Sequence, residues 1–227
     1  MAAKKHNDPI VDVEEVYSKT EKYIEENQRS LSIIVGAIVL IVGGYFGYTK
    51  FYIEPQAEEA MQYMWKAQQY FEQDSFRLAM KGDGMNFGFE YIADAYGMTK
   101  PGNLANYYCG ICYMQMGDFD KAIEALKEFD SDDEMVGPVG IGAIGDCYME
   151  LGNTEQALEY YRNAADKRDN EFTTPVYLKK AGLAYELLND FSAAAEMYQR
   201  IKKDYPDSDQ AKDIDKYIAK AEGLAGK

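Results

Sequence analysis

Cys109 and Cys112 stand as C-x-x-C. That spacing sets a nucleophilic thiolate beside its resolving partner in redox proteins and supplies half of a zinc ligand set in others. Neither chemistry is completed here. Redox use belongs at the start of a helix in a strand–helix unit, whereas these two cysteines fall inside an apolar helical pattern, where a free thiol packs as a small hydrophobe. The chain's single histidine, His6, lies in a polar N-terminal tail, so Ser-His-Asp, Cys-His and histidine-based metal sites lack their second member. Carboxylates gather in F-D-S-D-D-E from Phe129 to Glu134, but the glycine and closing glutamate of a calcium loop are missing, and the run reads as a solvated turn. K-G-D-G-M-N, Lys81 to Asn86, has glycines that could cradle an anion, yet no G-K-[ST] follows. It reads as a flexible hairpin tip that a partner could meet. These motifs describe a chain with no catalytic residues, no metal, no cofactor and no small-molecule substrate.

The bulk composition narrows the class further. The chain has 227 residues, of which 47% are hydrophobic, and a net charge of −15. That suffices for a packed core and disfavours nucleic acid, whose binding needs clustered Lys and Arg. Three cysteines are too few for a disulfide scaffold, so the fold must rest on packing.

From Leu31 to Thr49 the chain reads LSIIVGAIVLIVGGYFGYT, without a charge. As a helix it covers roughly 28 Å, close to the hydrocarbon thickness of a bilayer. The spacing predicts a single membrane span, retained because no small-x-small cleavage site follows it. Lys4, Lys5, Lys19, Lys22 and Arg29 precede it, against Lys50 and Lys66 after it, so the N-terminus is expected in the cytoplasm. Tyr45, Tyr48, Phe51 and Tyr52 would form the aromatic belt on the exported side. The exported part then carries 18 basic and 32 acidic residues, a net −14. Gly36, Gly43 and Gly47 share a helix face that could admit another membrane helix. Before the span, Val13, Val16, Tyr17, Thr20 and Ile24 form a stripe on a short cytoplasmic helix, either a partner surface or an extension of the span.

The exported part repeats. Gly110, Gly145 and Gly182 are separated by 35 and 37 residues, and the same shifts relate Tyr113, Tyr148 and Tyr185, then Phe119, Thr154 and Phe191, then Ala122, Ala157 and Ala194, then Leu126, Tyr161 and Tyr198. A uniform shift marks units of fixed internal geometry joined by loops that tolerate insertion. Each unit reads as two helices joined at Gly117, Gly152 or Asn189, residues that tolerate the left-handed conformation ending a helix. Pro138 and Pro175 suit a first helical turn, with Thr174 as an expected N-cap.

C-G-I-C-Y-M-Q-M-G-D-F-D-K-A-I-E-A-L, I-G-D-C-Y-M-E-L-G-N-T-E-Q-A-L-E-Y-Y and A-G-L-A-Y-E-L-L-N-D-F-S-A-A-A-E-M-Y resemble the tetratricopeptide repeat. Upstream, Tyr63, Ala67 and Tyr70, then Gly88, Ile92 and Ala95, look like a degenerate unit with an insert around Phe76 to Met85. The expected organisation is all-α: a tail over 1–30, a transmembrane helix over 31–49, a linker helix and degenerate repeat over 50–102, three repeats over 103–206 and a capping helix over 207–227. Stacked repeats present their first helices along a concave groove, and helical spacing projects onto it Tyr107, Ile111, Met114, Val139, Gly142, Met149, Lys179, Leu183 and Glu186; the other reading buries several of these side chains between repeats. Members that clamp a peptide carboxylate use Lys and Asn there, and only Lys179 matches. An apolar, Met-bearing groove suits extended apolar segments instead.

The layout as a whole, with S-K-T-E-K-Y-I-E-E-N-Q-R-S before the span, is similar to the YfgM-like proteins that accompany the bacterial Sec translocon. That resemblance implies a single-pass inner-membrane protein with periplasmic repeats, acting as a scaffold or chaperone-like subunit. Its partners would be the translocon, periplasmic folding factors and exported polypeptides. The other reading is an envelope assembly adaptor for cell-wall or outer-membrane machinery.

Overall fold

The computed structural model describes residues 13–226, with side chains from residue 21 onward. His6, Lys4 and Lys5 lie outside the described residues, as do the side chains of Val13, Val16, Tyr17, Lys19 and Thr20. The chain divides into two compact units, Met1–Ile53 and Glu54–Lys227.

In the first unit, α1 is one helix, Val13–Tyr48, closed by a π-helical turn at Thr49–Ile53. The predicted pre-span helix is therefore the first part of α1 and not a separate element. The N-terminal region holds one helix long and apolar enough to cross a membrane. Ile33, Leu40, Ile41 and Phe51 are exposed, so no protein core of this unit covers them. Gly36, Gly43 and Gly47 meet nothing that would obstruct an added Cβ, which leaves their face open.

The second unit is a stack of antiparallel helices with no strand among the described residues. α2 (Glu54–Glu72), α3 (Phe76–Lys81) and α4 (Phe89–Tyr96) pack together at its start, where the sequence predicts a degenerate unit. Three hairpins follow: α5 (Lys100–Gln115) with α6 (Phe119–Lys127), α7 (Val136–Glu150) with α8 (Thr154–Lys167), and α9 (Thr174–Leu187) with α10 (Phe191–Asp204). A 3₁₀ turn at Asp209–Asp213 leads into α11 (Ile214–Ala225).

The period found in the sequence becomes packing. Gly110, Gly145 and Gly182 let α5, α7 and α9 approach their own second helices, and a Cβ at each would run into Leu126, Tyr161 or Tyr198. The turns at Gly117, Gly152 and Asn189 adopt φ of 78°, 74° and 61°, the left-handed values expected of helix ends. Ala122, Ala157 and Ala194 are fully buried where the second helices meet the first.

Two local expectations change. The N-cap of α9 is Thr173, and Thr174 is buried with its Oγ1 accepting the Asn170 N–H at 3.0 Å. Asn170 orders the turn that leads into the helix, its Oδ1 accepting from the N–H groups of Phe172 and Thr173 at 2.9 and 2.7 Å. The insert is not a loose hairpin. Its first half is α3, which buries Ala79 and Met80. Its second half is a hydrogen-bonded turn around Asp83, whose carboxylate accepts from the N–H groups of Met85 and Asn86, from the Asn86 amide and from the Tyr70 hydroxyl at 2.7 Å. Those donors hold the Asp83 carboxyl well below the usual carboxylate range, the tyrosine contributing most.

Candidate interaction groove

The first helices α5, α7 and α9 carry the predicted groove residues at matching turns. On α5, Tyr107, Ile111 and Met114 are half-buried. The Tyr107 ring lies 5.3 Å from Phe129 and 5.8 Å from Tyr108. Burial pushes its hydroxyl above the ordinary tyrosine value. On α7, Val139 and Met149 are half-buried, while Gly142 is buried beneath Tyr177 of α9. An added Cβ at Gly142 would come within 1.9 Å of that ring. Gly142 thus contributes close helix approach and no side-chain surface.

On α9 the three predicted residues differ in kind. Leu183 is 41% exposed and faces outward. Lys179 is turned into the C-terminal cap, its Nζ 3.0 Å from Asp213 and 4.7 Å above the Tyr217 ring. Glu186 accepts from the Tyr198 hydroxyl at 3.2 Å and from Lys220 of α11. The cap therefore occupies the cation that a carboxylate clamp would need. Of the apolar positions, Tyr107, Ile111 and Met114 pack against one core cluster and Met149 against another, Val139 is half-buried, and Leu183 stands exposed.

A polar network missed in the sequence closes the boundary between α7 and α9. Asp146 accepts from Lys180 at 2.6 and 2.7 Å and from the Tyr161 hydroxyl at 2.8 Å, and Lys180 lies 5.5 and 5.6 Å above the Tyr161 and Tyr177 rings. The signal was available. Asp146 and Lys180, Asp166 and Arg200, Lys179 and Asp213, and Glu186 and Lys220 are all opposite charges 34 residues apart. One repeat length separates side chains that meet across neighbouring units.

The other motifs resolve as structure. Cys109, Cys112 and Cys147 are free and buried, and burial pushes the Cys112 and Cys147 thiols up to about 12 and Cys109 higher still. At neutral pH they are protonated and poor nucleophiles. In the acidic turn, Asp130 meets Lys167 at 3.3 Å and Asp132 meets Arg168 at 3.3 Å. Asp133 accepts from the N–H groups of Met135 and Val136 at the start of α7. The acidic run ties neighbouring units together.

A stack of paired helices of this kind suggests a protein–protein interaction scaffold. Tetratricopeptide-repeat family models match residues 143–209 and 104–132, so the chain carries tetratricopeptide repeats, and no catalytic family is indicated. Among solved structures, the MamA protein is similar at 18% identity and TM-score 0.56, over 74% of this chain and 85% of that one. The nearly identical TPR-like repeats assigned to a kinesin light chain of Podosopora anserina are similar at 14% identity and TM-score 0.50, over 77% of this chain and 87% of that one. At such identities the likeness is one of fold. No curated protein matches the chain in sequence.

Proposed function

We propose that the chain is a membrane-anchored periplasmic scaffold with chaperone-like character, holding exported polypeptides or folding factors near the Sec translocon. The observation that carries this reading is a largely exposed apolar stretch without charge, residues 31–49, in the same chain as a repeat stack whose first helices carry mainly apolar side chains at the expected groove positions. The Lys and Arg asymmetry around that helix supports an inside N-terminus. The likeness to YfgM-like proteins supports the translocon as partner. Extended apolar segments of varied sequence are the ligand class that Tyr107, Met114, Met149 and Leu183 would accept, because apolar contact is non-directional and Met side chains adapt to shape. The open face Gly36, Gly43 and Gly47 would recruit a membrane helix. Mild in-cell crosslinking followed by purification tests the proposal. Recovery of translocon subunits and exported chains is expected, whereas recovery of cell-wall or outer-membrane components alone would establish the assembly-adaptor reading instead.

A further inference from the structure

Each unit sets one residue against the unit before it. Along the period these residues are Trp65, Tyr108, Ala143, Lys180 and Tyr217, spaced by 43, 35, 37 and 37. The first interval is longer because it contains the α3 insert. Tyr108 stacks on Phe89 at 4.6 Å, Ala143 is buried with Ala122, Ile123 and Leu126, Lys180 reaches Asp146, and Tyr217 lies 5.4 Å from Tyr198. Trp65 opens the series and stands 66% exposed, with Met61 one turn earlier on α2 at 62%.

We infer that Met61 and Trp65 form an unfinished repeat interface, and that its occupant is a basic amphipathic helix of a partner protein. The position in the period calls for a packed helix, and Trp and Met are residue types enriched at the centres of protein interfaces. The charge comes from Glu58 and Glu72, exposed one and two turns away along α2 on the same side, which complement Lys or Arg. A second copy packing face to face would set these glutamates against their own counterparts, at a cost. End-to-end stacking would meet the exposed side of α11, where Asp215, Lys216 and Ala219 offer no large apolar counterpart. A bilayer surface would have to take up Glu58 and Glu72 along with Trp65. This surface is separate from the groove and adds a second contact to the proposed scaffold.

Trp65 is the chain's single tryptophan, so its fluorescence reports this face alone. The probe is a synthetic amphipathic peptide of leucine and lysine, added to the full chain in phosphatidylcholine vesicles, with a scrambled peptide of the same composition as control. The amphipathic peptide should shift Trp65 emission to shorter wavelength and reduce its quenching by acrylamide, and the scrambled one should do neither. Trp65→Ala should weaken binding of the labelled peptide by about tenfold with unchanged melting. Tyr107→Ala with Met114→Ala should leave that binding unchanged. An unshifted spectrum, or equal binding by Trp65→Ala, would overturn the inference. So would quenching of Trp65 by brominated lipid before any peptide is added, which assigns the face to the bilayer. A blue shift on concentrating the chain alone would assign it to a second copy and overturn it equally. The measurement repeated in buffer separates this face from the anchor, because a chain that fails to float with vesicles still reports on Trp65.

Discussion

The boundary between α7 and α9 and the boundary between α2, α4 and α5 solve the same packing problem with different chemistry. At the first, Gly142 sits under the Tyr177 ring and Asp146 gathers Lys180 and Tyr161. At the second, Phe71, Phe89 and Tyr108 pack ring on ring, at 6.3, 4.6 and 5.1 Å, and two tyrosine hydroxyls add polar links, that of Tyr108 accepting from Gln68 at 3.2 Å and that of Tyr113 donating to Glu90 at 2.8 Å. The period decides which positions meet and leaves the chemistry of the meeting open. Where an insert breaks the period, aromatic area takes the place of paired charges.

The largest effect is expected where that aromatic area is removed. Phe89 is fully buried, and Phe89→Ala should cost about 4 kcal/mol, lowering the melting temperature by roughly 10 °C. Thermal unfolding followed by circular dichroism reads it. A loss under 1 kcal/mol would mean that the aromatic boundary is dispensable. At the other boundary, Gly142→Val must displace the Tyr177 ring and should cost about 2–3 kcal/mol by overpacking, measurable as a lower urea midpoint. Asp146→Ala leaves Lys180 and Tyr161 without their acceptor and should cost about 1–2 kcal/mol, a loss that Lys180→Ala in the same chain does not double. Additive losses would show that the three groups do not act as one network.

The smallest effect near neutral pH comes from the thiols. Folding raises the Cys112 and Cys147 values to about 12 from an unfolded value near 8.5. Their contribution is complete below the unfolded value and is lost as pH climbs toward 12, since the unfolded chain ionises first. Urea midpoints should hold between pH 7 and 8, then fall through pH 9 to 11. Cys112→Ala with Cys147→Ala should flatten that fall.

Most of the stack was legible in the sequence because its packing repeats. Gly110, Gly145 and Gly182 announce close helix approach, and the same displacement in tyrosine, alanine and turn positions places every element from α5 to α10. Charge pairs escaped because they join different units: Asp146 and Lys180 are invisible within one repeat and plain once residues 34 apart are compared. Two of the expected groove positions take contacts from the cap for the same reason. Lys179 and Glu186 hold groove positions, but α11 follows α9 as a further unit and supplies Asp213 and Lys220 to them. Trp65 was missed because the 43-residue interval hides its equivalence to Tyr108. The ordered turn at Asp83 escaped because glycine content reports freedom of the chain, whereas the hydrogen bonds that remove it come partly from Tyr70 on α2.

The central claim is that the apolar groove positions of the first helices, and not the acidic outside of the stack, receive the partner. A photo-crosslinking amino acid placed at Leu183 on α9, and separately at the exposed Glu196 on α10, tests it in intact cells. Adducts to exported polypeptides and translocon subunits from position 183, with few from position 196, are the predicted result. Adducts from position 196 alone, lost as salt is raised in a reconstituted system, would place binding on the acidic outer face and contradict the account.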